Sequence, residues 1–298
     1  MTQFIRTNPI LLSSAGALLM TFIWSGWIIL SRAGVQSSLT PEDLTVIRFG
    51  TATLVALPFS LRYNWKKLSL HKAVIVSLGC GFPYTMFSFY GLQGVKAANA
   101  GVIVNGLLPV PGMILAFVVL KERSTKSRML AILLILAANM IMMGDLSQLS
   151  SHGIGWLMLF GASLVFSSYM FLGKRWGFTT RDVLAFLPVI NIVIFLPWWF
   201  LTDSGISQAP WSDLLLQASY QGVLVSIIAL LLTFYALKHI GAMTLSIYFS
   251  FVPFVTAILA WIILKEHLST AEIAGILLCS AGLFLYAYNG RQKTAKSS

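Results

Sequence analysis

The chain has 298 residues, of which 57% are hydrophobic and only 10% charged, where a soluble domain carries about 25% charged residues. Twenty Lys and Arg against nine Asp and Glu leave a net charge of +11. So few charges do not cover a soluble surface of this size, and so much apolar side chain excludes a disordered chain.

A hydrocarbon core about 30 Å thick takes roughly 20 apolar residues of helix to cross, and ten runs meet that length. Ile10–Gly34 follows Arg6, is too long for a signal-peptide core and lacks a small-residue cleavage site, so it is read as a retained first span carrying Trp24 and Trp27. Thr45–Leu61 contains Arg48, an ionised group three residues inside an apolar run. Ala73–Leu92 carries Phe82, Tyr84 and Tyr90. Ala98–Leu120 shows a small or polar stripe of Ala98, Gly101, Asn105, Pro109, Gly112 and Ala116 at helical spacing. Met129–Gly144, Ile154–Leu172 with Tyr169, Val183–Leu201 with Asn191 and Leu214–Leu237 with Gln221 follow. Ala242–Leu264 repeats the stripe as Ser246, Ser250, Pro253 and Ala257, with Tyr248 beside it, and Ala271–Asn289 is the last run. The runs are apolar on every side, as expected for helices among lipid and protein. They leave short linkers and no room for a soluble catalytic or nucleic-acid-binding domain. Cys80 and Cys279 lie within apolar runs and read as small buried hydrophobes.

With ten spans both termini share one side, and 16 of the 20 basic residues fall there: Arg6; Arg62, Lys66, Lys67, Lys72; Lys121, Arg123, Lys126, Arg128; Lys174, Arg175, Arg181; Lys238; Arg291, Lys293, Lys296. Arg32, Arg48, Lys96 and Lys265 fall on the other. The positive-inside rule then puts both termini in the cytoplasm. The +11 is mostly a topology signal, and no nucleic-acid partner is expected.

The chain also repeats itself. Asn105–Arg123 reads NGLLPVPGMILAFVVLKER and Phe249–His267 reads FSFVPFVTAILAWIILKEH. At an offset of 144, Pro109 falls on Pro253, Leu115 on Leu259 and Lys121-Glu122 on Lys265-Glu266. Trp24-Ser25 matches Phe166-Ser167 more loosely, and Arg32 lies near Lys174 in the same alignment. An odd number of spans per half inverts the second half, as in transporters whose halves rock about a site near the midplane. The expected fold is therefore an all-α membrane protein of ten transmembrane helices in two inverted five-helix repeats, residues 1–148 and 149–298. A duplicated bundle without a transport role is the plainer alternative.

Ten spans in two halves, Trp24-Ser25-Gly26 in the first, Arg48 near the start of the second, and proline-centred fourth and ninth spans ending in Lys-Glu resemble the EamA family of the drug/metabolite transporter superfamily. The resemblance covers nearly the whole chain. It implies movement of small metabolites, commonly export of amino acids or related compounds, across a bacterial inner membrane, and it names no substrate.

Every Asp and Glu lies in a loop or the first turn of a helix, and every His in or beside a loop. This argues against intramembrane catalysis, which needs a dyad, a paired Asp or a metal motif at depth. It also argues against a core carboxylate that exchanges protons or binds cations. The four-helix multidrug exporters of the same superfamily use a membrane-embedded Glu that has no counterpart here. Neither catalysis nor a cofactor or metal is expected. Arg48 reads either as an interfacial anchor paired with Glu42 or Asp43, or as a partner for a substrate carboxylate entering from outside. Pro109 and Pro253 each free a carbonyl near mid-membrane at equivalent positions and are expected to shape a central cavity. Asn105 and Ser250 are expected to face it, and Trp24, Tyr84 and Tyr248 to line it as aromatic walls. Asn99, Asn191 and Gln221 are weaker candidates, equally explained by interhelical hydrogen bonds.

The reading is an inner-membrane exporter of a small metabolite, such as an amino acid, working by alternating access on facilitated or exchange transport. Multidrug or quaternary-amine efflux and a non-transporting scaffold or lipid-handling protein are the alternatives. Monomer and homodimer are both open.

Overall fold

In hydrocarbon a backbone has no water to bond, so each apolar run closes its amides on itself as helix. A computed structural model describes residues 9–121, 124–143 and 149–295. Arg6, Glu122, Arg123, Asp145 and Lys296, which enter the sequence argument, lie outside these. Among the described residues ten helices are long and apolar enough to cross a membrane: α1 (Pro9–Val35), α2 (Pro41–Leu61), α3 (Leu70–Gly94), α4 (Ala97–Leu120), α5 (Lys126–Met143), α6 (Gly153–Arg175), α7 (Thr180–Trp199), α8 (Trp211–Gly241), α9 (Thr244–Ile263) and α10 (Thr270–Tyr288). The face carrying both chain ends is called the terminal face below.

The packing carries the inverted repeat. Helix α1 packs on α8 and α9 of the second half, and α6 packs on α3 and α4 of the first. Helices α2 and α7, α4 and α9, and α5 and α10 pair across the halves, so exchanging the halves maps the arrangement onto itself. The backbone repeats too: Lys121 (φ 54°) and Lys265 (φ 56°) close α4 and α9 in the same left-handed conformation, 144 residues apart.

Helices α2 and α7 show why the pairs hold. Each opens on a Thr-x-x-Asp capping box, Thr40 with Asp43 and Thr179 with Asp182, in which hydroxyl and carboxylate satisfy each other's backbone N–H. Each capping carboxylate also accepts a hydrogen bond from an aromatic residue at the far end of the partner helix. Trp199 Nε1 donates to Asp43 at 2.8 Å and the Tyr63 hydroxyl to Asp182 at 2.9 Å. Burial, then the carboxylate beside it, push the Tyr63 hydroxyl up to about 12, so it remains a donor at any ordinary pH. Asp43 additionally accepts from Ser204 Oγ and the Gly205 N–H. The antiparallel pair is thus tied at both membrane faces.

Among the described residues three helices are broken, and a fourth, α8, is π-helical over Ala218–Ile228. The third run, expected as one helix, breaks at Gly81 into Leu70–Cys80 and Phe82–Gly94. Asn191 repairs the break from α7, accepting from Phe82 N at 2.8 Å and donating to Ser77 O at 3.1 Å. Helix α4 passes through a π-helical turn, Val102–Gly106, before restarting at Pro109. Helix α9 turns at Ser250-Phe251 and restarts at Val252.

Replacing Asp43 with Ala removes an acceptor of four hydrogen bonds from the α2–α7 pair. The expected loss is about 2–4 kcal/mol of stability, read as an earlier melting transition of the detergent-purified protein. The exposed Asp203→Ala serves as an unaffected control.

Candidate functional site

Trp24 and Trp27 lie three residues apart on α1, which places both on one face. Trp27 is fully buried. Its ring stacks on Tyr84 of α3 at 5.3 Å and 19°, and meets Trp24 edge-on at 6.1 Å. Trp24 and Tyr84 both touch Phe166 of α6. The Trp27 indole N–H donates to Gln221 Oε1 of α8 at 2.7 Å, and Gln221 Nε2 reaches Ser31 Oγ and Gln217 Oε1. Arg48 of α2 completes the cluster, its guanidinium carbon 5.4 Å above the Trp27 ring. Residues from α1, α2, α3, α6 and α8 therefore converge between the two halves.

Arg48 is 3% exposed and points inward, so it is not an interfacial anchor. The described residues place no carboxylate within ion-pair distance of it. Glu42 accepts from the Tyr90 hydroxyl, and Asp43 serves the α2–α7 tie. Arg48 Nη1 lies 3.5 Å from Gln221 Oε1, and Nε has no partner. A central cation costs about 2.5–3.5 kcal/mol on membrane-insertion scales, and cation–π contact with a desolvated Trp returns roughly 2 kcal/mol. A second cation–π contact, to Phe49 at 5.6 Å, offsets more of it, and the unpartnered Nε keeps capacity to bond an anion.

The sequence-predicted residues divide into two groups. Trp24, Tyr84 and Arg48 come together around Trp27, and Tyr248 packs in a cluster that also holds Trp24. The Trp24 indole N–H is buried without a partner. Asn105, Pro109, Ser250 and Pro253 sit instead at the breaks of α4 and α9. Asn105 Nδ2 is buried without a partner, whereas the Ser250 hydroxyl donates to Ile247 O of its own helix at 2.6 Å. Ser25 of α1 donates to the carbonyl of Val252 at 3.2 Å, and Ser167 of α6 to that of Leu108 at 2.9 Å. Each serine belongs to the first helix of one half and bonds the residue before the proline in the other.

The two faces differ. Away from the terminal face, α4 and α9 are in contact, and a Cβ on Gly101 would meet Thr256 at 3.0 Å. Glu266 accepts from the Ala97 N–H at the start of α4, where the helix dipole favours an anion, and pairs with Arg32 at 3.6 Å. Arg32 also donates to the carbonyls of Leu92 and Gln93. Lys96 binds Glu272 at 3.1 Å. Toward the terminal face, Pro109–Leu120 packs on α6 and makes no comparable contact with α9. Gly112 there faces open space, and Lys174, which lies near the Arg32 position in the repeat, is exposed. A cleft of about 660 Å³ runs along the same half of α8, past Tyr235, Lys238 and His239.

Trp27, Gln221, Phe166, Ser25 and Ser167 are the site residues that sequence reasoning passed over or ranked low. Their signals were present: Trp27 repeats Trp24 one helical turn on, Gln221 is a lone amide in an apolar run, and Ser25 and Ser167 align in the repeat. Among the described residues no three His, Cys, Asp or Glu side chains gather as a metal site requires.

Two inverted halves with broken helices meeting at the centre define the architecture of a secondary transporter. The EamA-like transporter family matches residues 11–144 and again 153–288, and the chain belongs to that family. It is 26% identical to the uncharacterized transporter YwfM of Bacillus subtilis (strain 168), over 94% of this chain and 96% of that one. It is 25% identical to YcxC of the same organism over 94% of each chain, and 23% identical to an uncharacterized transporter of Archaeoglobus fulgidus over 90% of this chain and 94% of the other. A solved crystal structure superposes with a TM-score of 0.63 at 16% identity, over 94% of this chain and 98% of that one, which shows the fold alone.

If the Arg48 charge is a cost to the resting fold, Arg48→Met is neutral or stabilising by about 1–3 kcal/mol. Thermal unfolding in detergent checks this. A marked loss of folded protein would instead make Arg48 a structural anchor.

Proposed function

We propose that the chain exports a small metabolite, an amino acid or an amphiphile of similar size, across a bacterial inner membrane by alternating access. The observation that supports it best is an asymmetry of contact within a symmetric frame. One face is closed by α4 on α9 and by Arg32–Glu266, while the equivalent halves toward the termini stand apart. A transporter needs such alternatives, and a scaffold does not. With the termini in the cytoplasm, as the basic residues argue, the conformation is closed outside and open inside.

In this reading Trp24, Arg48, Tyr84, Asn105, Tyr248 and Ser250 form the substrate site, with Pro109 and Pro253 as the points about which α4 and α9 bend. Substrate enters between the cytoplasmic halves of α4 and α9 and meets the aromatic cluster. Closure of that side and parting of Glu266 from α4 then release it outward. The exposed share of Lys96 keeps its bond to Glu272 weak, at about 0.2–1 kcal/mol, and the whole closure amounts to a few kcal/mol, small enough to reverse each cycle. Quaternary-amine efflux is disfavoured, because the cluster presents a cation and no carboxylate. The substrate is a small molecule; nucleic acid has no place in this reading, and the unit of transport is a single chain, alone or within a homodimer.

Counterflow in proteoliposomes against an amino-acid and amine panel tests the proposal: preloaded amino acid should drive uptake of labelled amino acid without a pH gradient. Glu266→Gln should weaken the outer closure and cut the rate severalfold with the protein still folded. No exchange by any panel member would defeat the reading. For orientation, a fluorescent-protein fusion at the C-terminus should glow and an alkaline-phosphatase fusion there should be inactive.

A further inference from the structure

We propose that Arg48 binds a single carboxylate of the substrate, and that the site accepts monocarboxylates whether or not they carry an ammonium group. This deepens the transporter reading and rests on it.

The buried groups here are donors in search of an acceptor. Arg48 is 97% buried as the complement of its 3% exposure, and its Nε is unpartnered. Its contact with Gln221 Oε1 is long, at 3.5 Å, and that oxygen already accepts from Trp27 at 2.7 Å. Trp24 Nε1, whose ring meets Trp27 edge-on, is a second buried and unpartnered donor in the cluster. A carboxylate accepts only, has two oxygens, and matches the fork of a guanidinium. One buried cation neutralises one charge. A phosphate or dicarboxylate would bring a second charge with nothing to pair it.

An ammonium group gains no charge partner in the same place. The acids nearest in sequence are engaged: Glu42 with Tyr90 at 2.6 Å, and Asp43 with Thr40, Trp199, Ser204 and Gly205. The face of Trp27, which could hold a cation, is already occupied by Arg48. What remains around the donors is apolar: Phe166, Tyr84 and the Trp24 ring. The ligand that fits is a monocarboxylate with an apolar body.

The test is direct binding to the wild-type protein in detergent by isothermal titration, with 3-phenylpropionate, L-phenylalanine and phenethylamine as probes. The two acids should bind with affinities within about threefold, and phenethylamine at least about tenfold more weakly. Arg48→Gln should weaken both acids about tenfold and leave neutral 3-phenylpropionamide unchanged, while Arg48→Lys retains the preference for acids. If Arg48→Gln does not purify as a monodisperse protein, the wild-type panel and Arg48→Lys decide. Phenethylamine binding as well as phenylpropionate, L-phenylalanine binding tenfold tighter than phenylpropionate, or no acid binding would each overturn the proposal. Counterflow separates the two readings. Acids that bind but are never exchanged would overturn transport and leave the carboxylate site standing. Exchange of amines alone would overturn the site and leave transport.

Discussion

Every backbone amide held in hydrocarbon must find its partner within the protein, and the architecture follows from where this chain meets that demand and where it interrupts it. Among the described residues the spans other than α3, α4 and α9 run as continuous helix, α8 through a π-helical stretch at Ala218–Ile228. At α3, α4 and α9 the helix is interrupted, and a side chain from the opposite half supplies bonds at the interruption: Asn191 at Gly81, Ser167 at Leu108 and Ser25 at Val252. The halves are therefore not merely packed together. Each half sends a side chain to the other's interruptions: Asn191 takes up the Phe82 N–H, and Ser167 and Ser25 add a donor to the carbonyl before each proline.

The same economy governs charge. The carboxylates near the membrane faces are spent on helix starts and on ties between helices: Asp43 and Asp182 on α2 and α7, Glu266 on α4, Glu272 on Lys96. Among the described residues none pairs with Arg48. A buried guanidinium over an indole, with its Nε unpartnered, is the charged member of the Trp27 cluster and a cost the fold tolerates. Such unpaired donors in a dry interior are more easily understood as half of a ligand contact than as part of the fold.

Much of the fold was legible in the residues. The span count, the inversion and the pairing of Pro109 with Pro253 follow from hydropathy and repetition, because length across lipid and helical period are local properties. The site was legible only in part. Trp24, Tyr84 and Arg48 could be singled out as polar or amphipathic groups in apolar runs, but their meeting around Trp27 depends on how five helices cross. Gln221 looked like an interhelical amide, and it is one, yet its oxygen also faces Arg48. The second repeat signal, Thr40 and Asp43 against Thr179 and Asp182, runs at an offset of 139 and so is hidden from an alignment set by the fourth and ninth spans.

By itself the sequence determined the class of the protein, its ten spans, its inverted duplication and the sparing placement of its charges, since each depends on composition over one helix or one loop. Only the tertiary structure decided which face is closed, that Arg48 is buried with no carboxylate against it among the described residues, and that side chains of each half hydrogen-bond the other at its helix breaks. Those outcomes depend on the crossing of distant helices and on a balance of a few kcal/mol between nearly equivalent contacts at the two faces, which no local pattern of residues encodes.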